Sequence, residues 1–158
     1  MALKDCTGFV GRKLLIQDLP SQRDVRNAVF VPPGTAPQWG LFEPSGRSVP
    51  EAMLYTGAGS LPTPLCSRDY PDLPDCPVLS DKFDYFFLGN INPSYLYFFA
   101  NVLSRLWRLP PYARSRLKLV FSSPQPLAQL MAQSYFRTIV TALDLTEDHF
   151  MQVLSPAR

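Results

Sequence analysis

The residues with the clearest potential for chemistry lie in the stretch LGNINPSYLYFFANVLSRLW, residues 88–107. Amide and hydroxyl side chains occur here among aromatic rings. The candidate substrate-binding residues are Asn90, Asn92, Ser94, Tyr97, Asn101 and Arg105. Sugar hydroxyls are bound by planar polar groups, and the C–H faces of sugars stack on aromatic rings. The composition of this stretch therefore suits a carbohydrate ligand.

A purely structural role is the alternative for the same residues. Aromatic residues at helical spacing are usually core, and we expect Phe99 and Trp107 to be buried. For Asn92, Ser94 and Tyr97 both interpretations stay open. Arg105 follows at a largely apolar part of the stretch. An arginine so placed either extends its charged end to water or pairs with an acid from a neighbouring element.

Motifs for other kinds of chemistry are missing from the sequence. The chain contains neither GxGxxG nor GKS/T, so no phosphate-binding loop is predicted. His149 is the only histidine and no GxSxG accompanies it, which argues against a serine triad. Asp69, Asp72 and Asp75 lie in a loop, where a solvated role is favoured over an acid–base pair. The three cysteines form no CxxC pair, so we expect neither a disulfide framework nor a metal site.

Composition and charge indicate a globular protein of one domain, or half of a two-domain protein. The chain has 158 residues, of which 46% are hydrophobic and 18% charged. A net charge of +2 is too small to predict nucleic-acid binding. Five basic residues lie between Arg105 and Lys118, where a solvated helix end is favoured over an anion site. With neither a signal peptide nor a bilayer-spanning run, we expect a cytoplasmic protein; peripheral contact with the inner membrane stays open.

The chain divides by pattern into two parts. Residues 1–80 form an irregular, proline-rich lead-in with short strands. We expect a strand at 27–31, stopped by Pro32-Pro33-Gly34, and a hairpin that joins 39–42 to 48–55 through a turn at 44–46. The span 56–80 has almost no periodicity. Residues 81–158 form a Rossmann-like α/β unit, which we expect to be part of one domain.

This unit has the order β-α-β-α-β. Strands are predicted at 84–88, 117–121 and 151–154. The first helix should be capped by Asn92 or Ser94 and the second by Ser123, running to about Leu143. The first buried stripe is expected to hold Tyr95, Phe99, Val102 and Leu106. Such units are parallel, and their ligands bind at the carboxyl ends of the strands. Here those ends are the turns 89–94 and 122–126.

The stretch 88–107 resembles the N-terminal half of family 61 glycosyltransferases. The similarity rests on a strand followed by GN, a turn and an aromatic helix that ends in SRLW. The lead-in is similar as well, in AVFVPPG and in QWGLFEPSGRSVPEAMLYTG. Bacterial members are often called capsular polysaccharide biosynthesis proteins. The resemblance implies a GT-B type enzyme, with two Rossmann domains, that transfers a sugar from a nucleotide-sugar to a glycan.

The chain departs from the family pattern at two positions. Members typically carry HF(L/M)xExLxRLW, and the places of the histidine and the carboxylate hold Tyr97 and Asn101 here, while Arg105 is kept. Neither replacement can do the same proton chemistry. By the resemblance, the donor binds a second Rossmann domain that this chain lacks, so the chain needs no cofactor of its own. We expect it to form the acceptor side of such an enzyme, inactive alone; the alternatives are a non-catalytic carbohydrate-binding or interaction domain and an inactive remnant. Its expected partners are an acceptor carbohydrate and a second Rossmann domain or another copy of the chain.

Overall fold

The computed structural model describes residues 22–52, 55–56, 63–64, 69–106, 109 and 114–158. Seven strands and a set of short helices lie in these residues. The strands are β1 (Val29–Val31), β2 (Gly40–Phe42), β3 (Tyr55–Thr56), β4 (Thr63–Pro64), β5 (Asp84–Asn90), β6 (Leu117–Ser122) and β7 (Phe150–Gln152). The α-helices are α1 (Tyr95–Phe98), α2 (Ser104–Leu106), α3 (Leu127–Ala132) and α4 (Ser134–Ala142), with a π-helical turn at Phe99–Leu103 and 3-10 turns at Pro50–Ala52, Arg114–Arg116 and Glu147–His149.

A three-stranded parallel sheet lies at the centre, in the order β5-β6-β7. The mixed α/β class and the parallel pairing predicted from the sequence are confirmed. The strand bounds differ from the predicted ones by one or two residues, and β5 continues through Gly89 to Asn90. Gly89 has a φ of 88° and lies at a register shift against β6. A bulge of this kind next to a strand end redirects the side chains that follow.

The two faces of the sheet are covered by different parts of the chain. Leu117, Leu119 and Phe121 of β6 face a core that the helices complete. Val120 points the other way and packs with Phe30 of β1. The alternation follows from the two-residue period of a strand, and the apolar residues on both faces fit a parallel strand that is covered on both sides. The proline-rich lead-in therefore contributes directly to the core.

The first helix buries a different stripe from the predicted one. Val102 and Leu106 are buried as expected, but Tyr95 and Phe99 are each 53% exposed, and Phe98 is buried in their place. The π-helical turn at Phe99–Leu103 explains the difference. A π turn takes more residues than an α turn, so side chains four apart, at 98, 102 and 106, stay on one face. Trp107 lies outside the described residues.

The second helix begins later than predicted and is broken. Ser123 does not cap a helix; its Oγ atom accepts the N–H of Gln125, and α3 starts only at Leu127. The reason is Pro126, because the residue before a proline is disfavoured in the helical region. The extended backbone of Gln133 then separates α3 from α4. No glycine or proline marks this break in the sequence.

The lead-in forms a hairpin with other partners than predicted. β2 pairs antiparallel with β1, and the turn after β2 is present, since the Gly46 N–H donates to the Glu43 carbonyl at 2.9 Å. The predicted second arm at 48–55 is present only at its start: Ser48 bridges back to Phe42, and the Val49 N–H donates to the Leu41 carbonyl at 2.9 Å. A 3-10 turn then follows at Pro50–Ala52. Pro50 has no N–H to donate to a ladder, which explains why pairing stops. Part of the span 56–80 lies outside the described residues.

Candidate functional site

Two of the predicted residues build the turn after β5. The Oδ1 atom of Asn92 accepts the backbone N–H of Ser94 at 2.9 Å, and the Ser94 carbonyl accepts the N–H of Phe98. This arrangement satisfies groups that would be unpaired at the start of a helix. Ser94 is exposed, whereas Asn92 is half-buried. Asn92 thus shapes the turn, and Ser94 is the member of the pair that faces solvent.

Asn90 lies at the carboxyl end of β5, directly opposite Ser122 at the end of β6. The Ser122 hydroxyl donates to Asn90 Oδ1 at 3.4 Å, and the Ile91 N–H donates to the Ser122 carbonyl at 2.7 Å. Among the described residues, the Nδ2 group of Asn90 has no hydrogen-bond partner. The paired strand ends therefore present an amide donor beside a hydroxyl group, at the edge where parallel sheets bind ligands.

A shallow cleft opens over these strand ends. Its floor is formed by Phe87, Gly89, Asn90 and Ser122, and its wall comes from the lead-in. The lead-in residues are Phe30, Pro33, Trp39, Gly40 and Ala52. The cleft is thus shared between the carboxyl ends of two strands and the lead-in.

The second turn of the sheet edge, at 122–126, is fixed by Gln152 of β7. Its Nε2 group donates to the carbonyls of Ser123 at 3.1 Å and Gln125 at 3.0 Å. The Gln125 Oε1 atom is buried and has no partner among the described residues. The side chain of Gln152 acts as a clamp, so both turns at the carboxyl edge are held by side-chain hydrogen bonds.

Tyr97, Asn101 and Arg105 form a column along the first helix. The Asn101 Nδ2 group donates to the Tyr97 carbonyl at 3.3 Å, and the Arg105 Nε group donates to the Asn101 carbonyl at 2.9 Å. Both bonds run to the residue four positions earlier. Both are side-chain to backbone bonds within one helix, so the column is held together along the helix.

Arg105 joins this column to the lead-in. Its Nη1 and Nη2 groups donate to the carbonyls of Glu51 at 3.3 Å and Ala52 at 3.1 Å. Its Cζ atom lies 5.6 Å from the ring centroid of Phe87, within the range of a cation–π contact. Ala52 and Phe87 both line the cleft. The charged end of Arg105 thus joins the wall of the cleft, through the carbonyls of Glu51 and Ala52, to Phe87 in its floor.

Tyr97 is held in its neutral form. Burial raises the pKa of the Tyr97 hydroxyl above its usual value near 10, and the nearby Arg105 guanidinium only partly opposes that rise. A phenol of this kind keeps its proton at neutral pH and does not take up a second one. It can donate or accept a hydrogen bond, but it cannot replace a histidine as a base.

Because the pKa of Tyr97 is higher in the folded than in the unfolded state, its contribution to stability is complete below about pH 10. That contribution is lost as the pH rises above 10 through the folded pKa. We expect the free energy of unfolding of Tyr97→Phe to fall less steeply above pH 10 than that of the parent protein. Urea unfolding at a series of pH values, with phenolate absorbance as a second measurement, checks this. Identical alkaline profiles would contradict the raised pKa.

Other chemically interesting residues have structural partners. The Nδ1 atom of His149 accepts the N–H of Thr146 at 3.0 Å, so this histidine caps a 3-10 turn. Asp69 accepts the N–H of Ser48 at 3.1 Å. In the basic segment, the Nε atom of Arg116 lies 3.7 Å from the Oδ2 atom of Asp84. The Nζ group of Lys118 donates to the Asp148 carbonyl. These contacts favour structural roles over a catalytic or anion-binding one.

The described residues offer neither a metal-binding cluster nor a membrane-spanning helix. They contain no group of three or more histidine, cysteine, aspartate or glutamate side chains placed to hold a metal ion. Within the same part of the chain, no helix has the length and apolar character needed to cross a bilayer.

The structure brings only some of the predicted residues together. Tyr97, Asn101 and Arg105 share one column, Asn92 and Ser94 share one turn, and Asn90 meets Ser122 in the cleft. The wall residues Trp39 and Ala52 were missed as site residues, because they lie about 40–50 positions before Asn90 in sequence. The one available signal was the QWGLF phrase, which carries Trp39.

Comparison of the chain with protein-family models, with curated proteins and with solved structures finds no match.

Proposed function

We propose that this chain binds the acceptor saccharide of a GT-B type glycosyltransferase and does not transfer a sugar by itself. The observation that carries the proposal is the pairing of Asn90 and Ser122 in a cleft walled by Trp39. An amide donor and a hydroxyl beside an indole ring are the groups that bind sugar hydroxyls and sugar C–H faces. The resemblance of residues 88–107 to family 61 glycosyltransferases supports the same choice.

The charge of the sheet edge favours a neutral ligand. The turns GNINPS and SSPQP contain no ionisable side chain. A nucleotide-sugar carries a diphosphate, which proteins hold with basic side chains or with a glycine-rich loop at a helix start. Neither occurs in these turns. The donor is therefore assigned to a second Rossmann domain, and the acceptor sugar to this edge.

The groups at the positions of the family's histidine and carboxylate support the absence of transfer by this chain. Tyr97 keeps its proton, and Asn101 does not titrate. This favours the second candidate function, a non-catalytic carbohydrate-binding domain derived from such an enzyme. The two candidates share the sugar site and differ in whether a donor-binding domain works with it.

Titration of the isotopically labelled protein with neutral saccharides, followed by NMR, tests the proposal. Glucose, galactose, xylose and N-acetylglucosamine, with their disaccharides, are suitable probes, and UDP-glucose and UDP-N-acetylglucosamine test for donor binding. We expect a neutral saccharide to shift the amide signals of Asn90, Ser122 and Trp39. Asn90→Ala should weaken that binding about tenfold, because a hydrogen bond to the ligand is lost.

Gln129→Ala is the matched control, since Gln129 is an exposed amide on α3 away from the cleft. It should bind saccharides as the parent protein does. If neutral sugars shift no signals around the cleft, the proposal is wrong. Hydrolysis of a UDP-sugar by this chain would contradict the absence of catalysis. If the chain binds sugar but no transfer occurs after a donor-domain protein is added, the non-catalytic carbohydrate-binding domain is favoured.

A further inference from the structure

Three aromatic side chains form an exposed array on the helical side of the molecule. Tyr95 and Phe99 belong to the first helix, and Tyr135 to α4. The ring centroids of Tyr95 and Phe99 are 6.0 Å apart, and those of Tyr95 and Tyr135 are 5.4 Å apart. Tyr95 and Phe99 are each 53% exposed. We call this array the aromatic platform. The π-helical turn places Tyr95 and Phe99 at the surface, whereas the sequence pattern predicts them in the core.

The aromatic platform is fixed to the turn that carries the site. The Tyr135 hydroxyl donates to the Pro93 carbonyl at 2.7 Å, and its ring lies against the buried ring of Phe98 at 5.4 Å. The Tyr95 ring meets the Tyr135 ring edge-on, at 80°. The rings are therefore preorganised, which lowers the entropic cost of binding a ligand. Pro93 is three residues from Asn90, so the platform borders the same sheet edge as the cleft.

The segments that lead up to the rings of the platform contain no charged residue, and Arg137 follows Tyr135 by two positions. The sequence has no Asp, Glu, Lys, Arg or His between Asp84 and Arg105, and none between Lys118 and Arg137. Nucleic acid would need a basic surface. Helices that lie on membranes carry Lys and Arg on their polar face, and the segment around Tyr95 and Phe99 has none. Exposed serine and tyrosine hydroxyls beside bare rings are instead suited to a neutral ligand with C–H faces and hydroxyl groups.

We propose that the aromatic platform is a second saccharide subsite, which binds a further sugar unit of the acceptor chain held at Asn90. The ligand is thus an oligosaccharide or polysaccharide instead of a single sugar. Stacking on Tyr95 and Phe99 supplies affinity, and the exposed Ser94 directly precedes Tyr95 in the chain. The inference rests on the proposed function, because it extends the ligand of the same sheet edge.

The test is binding of neutral oligosaccharides of increasing length, with malto-, cello- and chito-oligosaccharides from monosaccharide to hexasaccharide as probes. For the series that binds, we expect affinity to rise with length and the hexasaccharide to shift the signals of Tyr95, Phe99 and Tyr135. Tyr95→Ala and Phe99→Ala should each weaken hexasaccharide binding about three- to tenfold, as expected for one lost stacking contact. Monosaccharide affinity should stay unchanged.

Tyr85→Ala is the aromatic control, because Tyr85 is an exposed tyrosine near the opposite end of β5. It should keep the full dependence on length. Equal affinities for all lengths, or a dependence that survives in Tyr95→Ala and Phe99→Ala, would overturn the subsite. The subsite would also be overturned by a different role for the two rings. That role would show as self-association in sedimentation, or as binding to phosphatidylcholine vesicles, that depends on Tyr95 and Phe99 while oligosaccharide binding does not. Hexasaccharide shifts at the platform that persist in Asn90→Ala would support the subsite even where the cleft fails.

Discussion

Replacing Phe98 by alanine is expected to lower the free energy of unfolding by about 3–5 kcal/mol, the usual cost of deleting a fully buried phenylalanine. Phe98 is 1% exposed. Its ring centroid lies 5.1 Å from that of Phe136 and 5.4 Å from that of Tyr135. A domain is typically stable by only about 5–15 kcal/mol. This one substitution therefore removes a large share of the total.

The neighbouring residue provides the matched control. Phe99→Ala deletes the same side chain from the next position, where it is 53% exposed, and should cost less than about 1 kcal/mol. Urea unfolding of both variants, with the midpoint and the slope fitted separately, measures the difference. A larger loss for Phe99→Ala than for Phe98→Ala would mean that the helix has the regular α-helical register predicted from the sequence.

The parallel sheet is predictable because its strands are short apolar runs bounded by strong breakers. β5 comes before Asn92-Pro93 and β6 before Ser123-Pro124, and each run is too short for a helix. Both faces of β6 are covered in the sheet. A strand of this kind is recognised by a short apolar run such as LKLVF, without a strict alternation of polar and apolar residues. Order, direction and approximate bounds of the strands follow from these signals.

The helices are less predictable because their irregularities have weak signals. The late start of α3 could have been inferred from Gln125 and Pro126, whereas no residue type announces the π-helical turn or the break at Gln133. That turn matters for the site. It moves Tyr95 and Phe99 from the core to the surface, which the hydrophobic pattern alone could not indicate.

The site was predictable on one side only. Asn90 follows from the rule that parallel sheets bind ligands at the carboxyl ends of their strands. The opposite wall, with Trp39 and Ala52, depends on how the lead-in packs against the sheet. That packing is set by contacts between residues far apart in sequence, such as Phe30 with Phe87, whose ring centroids are 4.9 Å apart. Local patterns contain no information on such pairs.

Arg105 is the residue that joins the two sides, and its removal should affect both stability and the cleft. In Arg105→Met the aliphatic stem is kept, but the carbonyls of Glu51 and Ala52 lose charged hydrogen-bond donors. Bonds of this kind contribute about 1.5–3 kcal/mol, so we expect a loss of about 2–3 kcal/mol. Arg105→Lys should recover only part of it, because a single ammonium group cannot reproduce the planar fork.

Arg116→Met is the matched control for the hydrogen bonds that Arg105 donates to the lead-in. Like Arg105, Arg116 donates to a backbone carbonyl, that of Asp81, and it also lies near the Asp84 carboxylate, but its side chain is 58% exposed. Exposed pairs contribute about 0–1 kcal/mol, so this variant should unfold close to the parent protein. Urea unfolding compares the three variants, and amide hydrogen exchange at Glu51 and Ala52 shows whether the wall opens locally.

The same variants separate a positioning role from direct sugar contact. If Arg105 acts through the wall, Arg105→Met should raise the exchange rates of Glu51 and Ala52 and weaken saccharide binding at Asn90 about tenfold, in parallel. If the guanidinium contacts the sugar itself, binding should fall while exchange at the wall stays slow. The three carbonyls that the guanidinium engages favour the first outcome, because a ligand would have to displace at least one of those bonds to reach it.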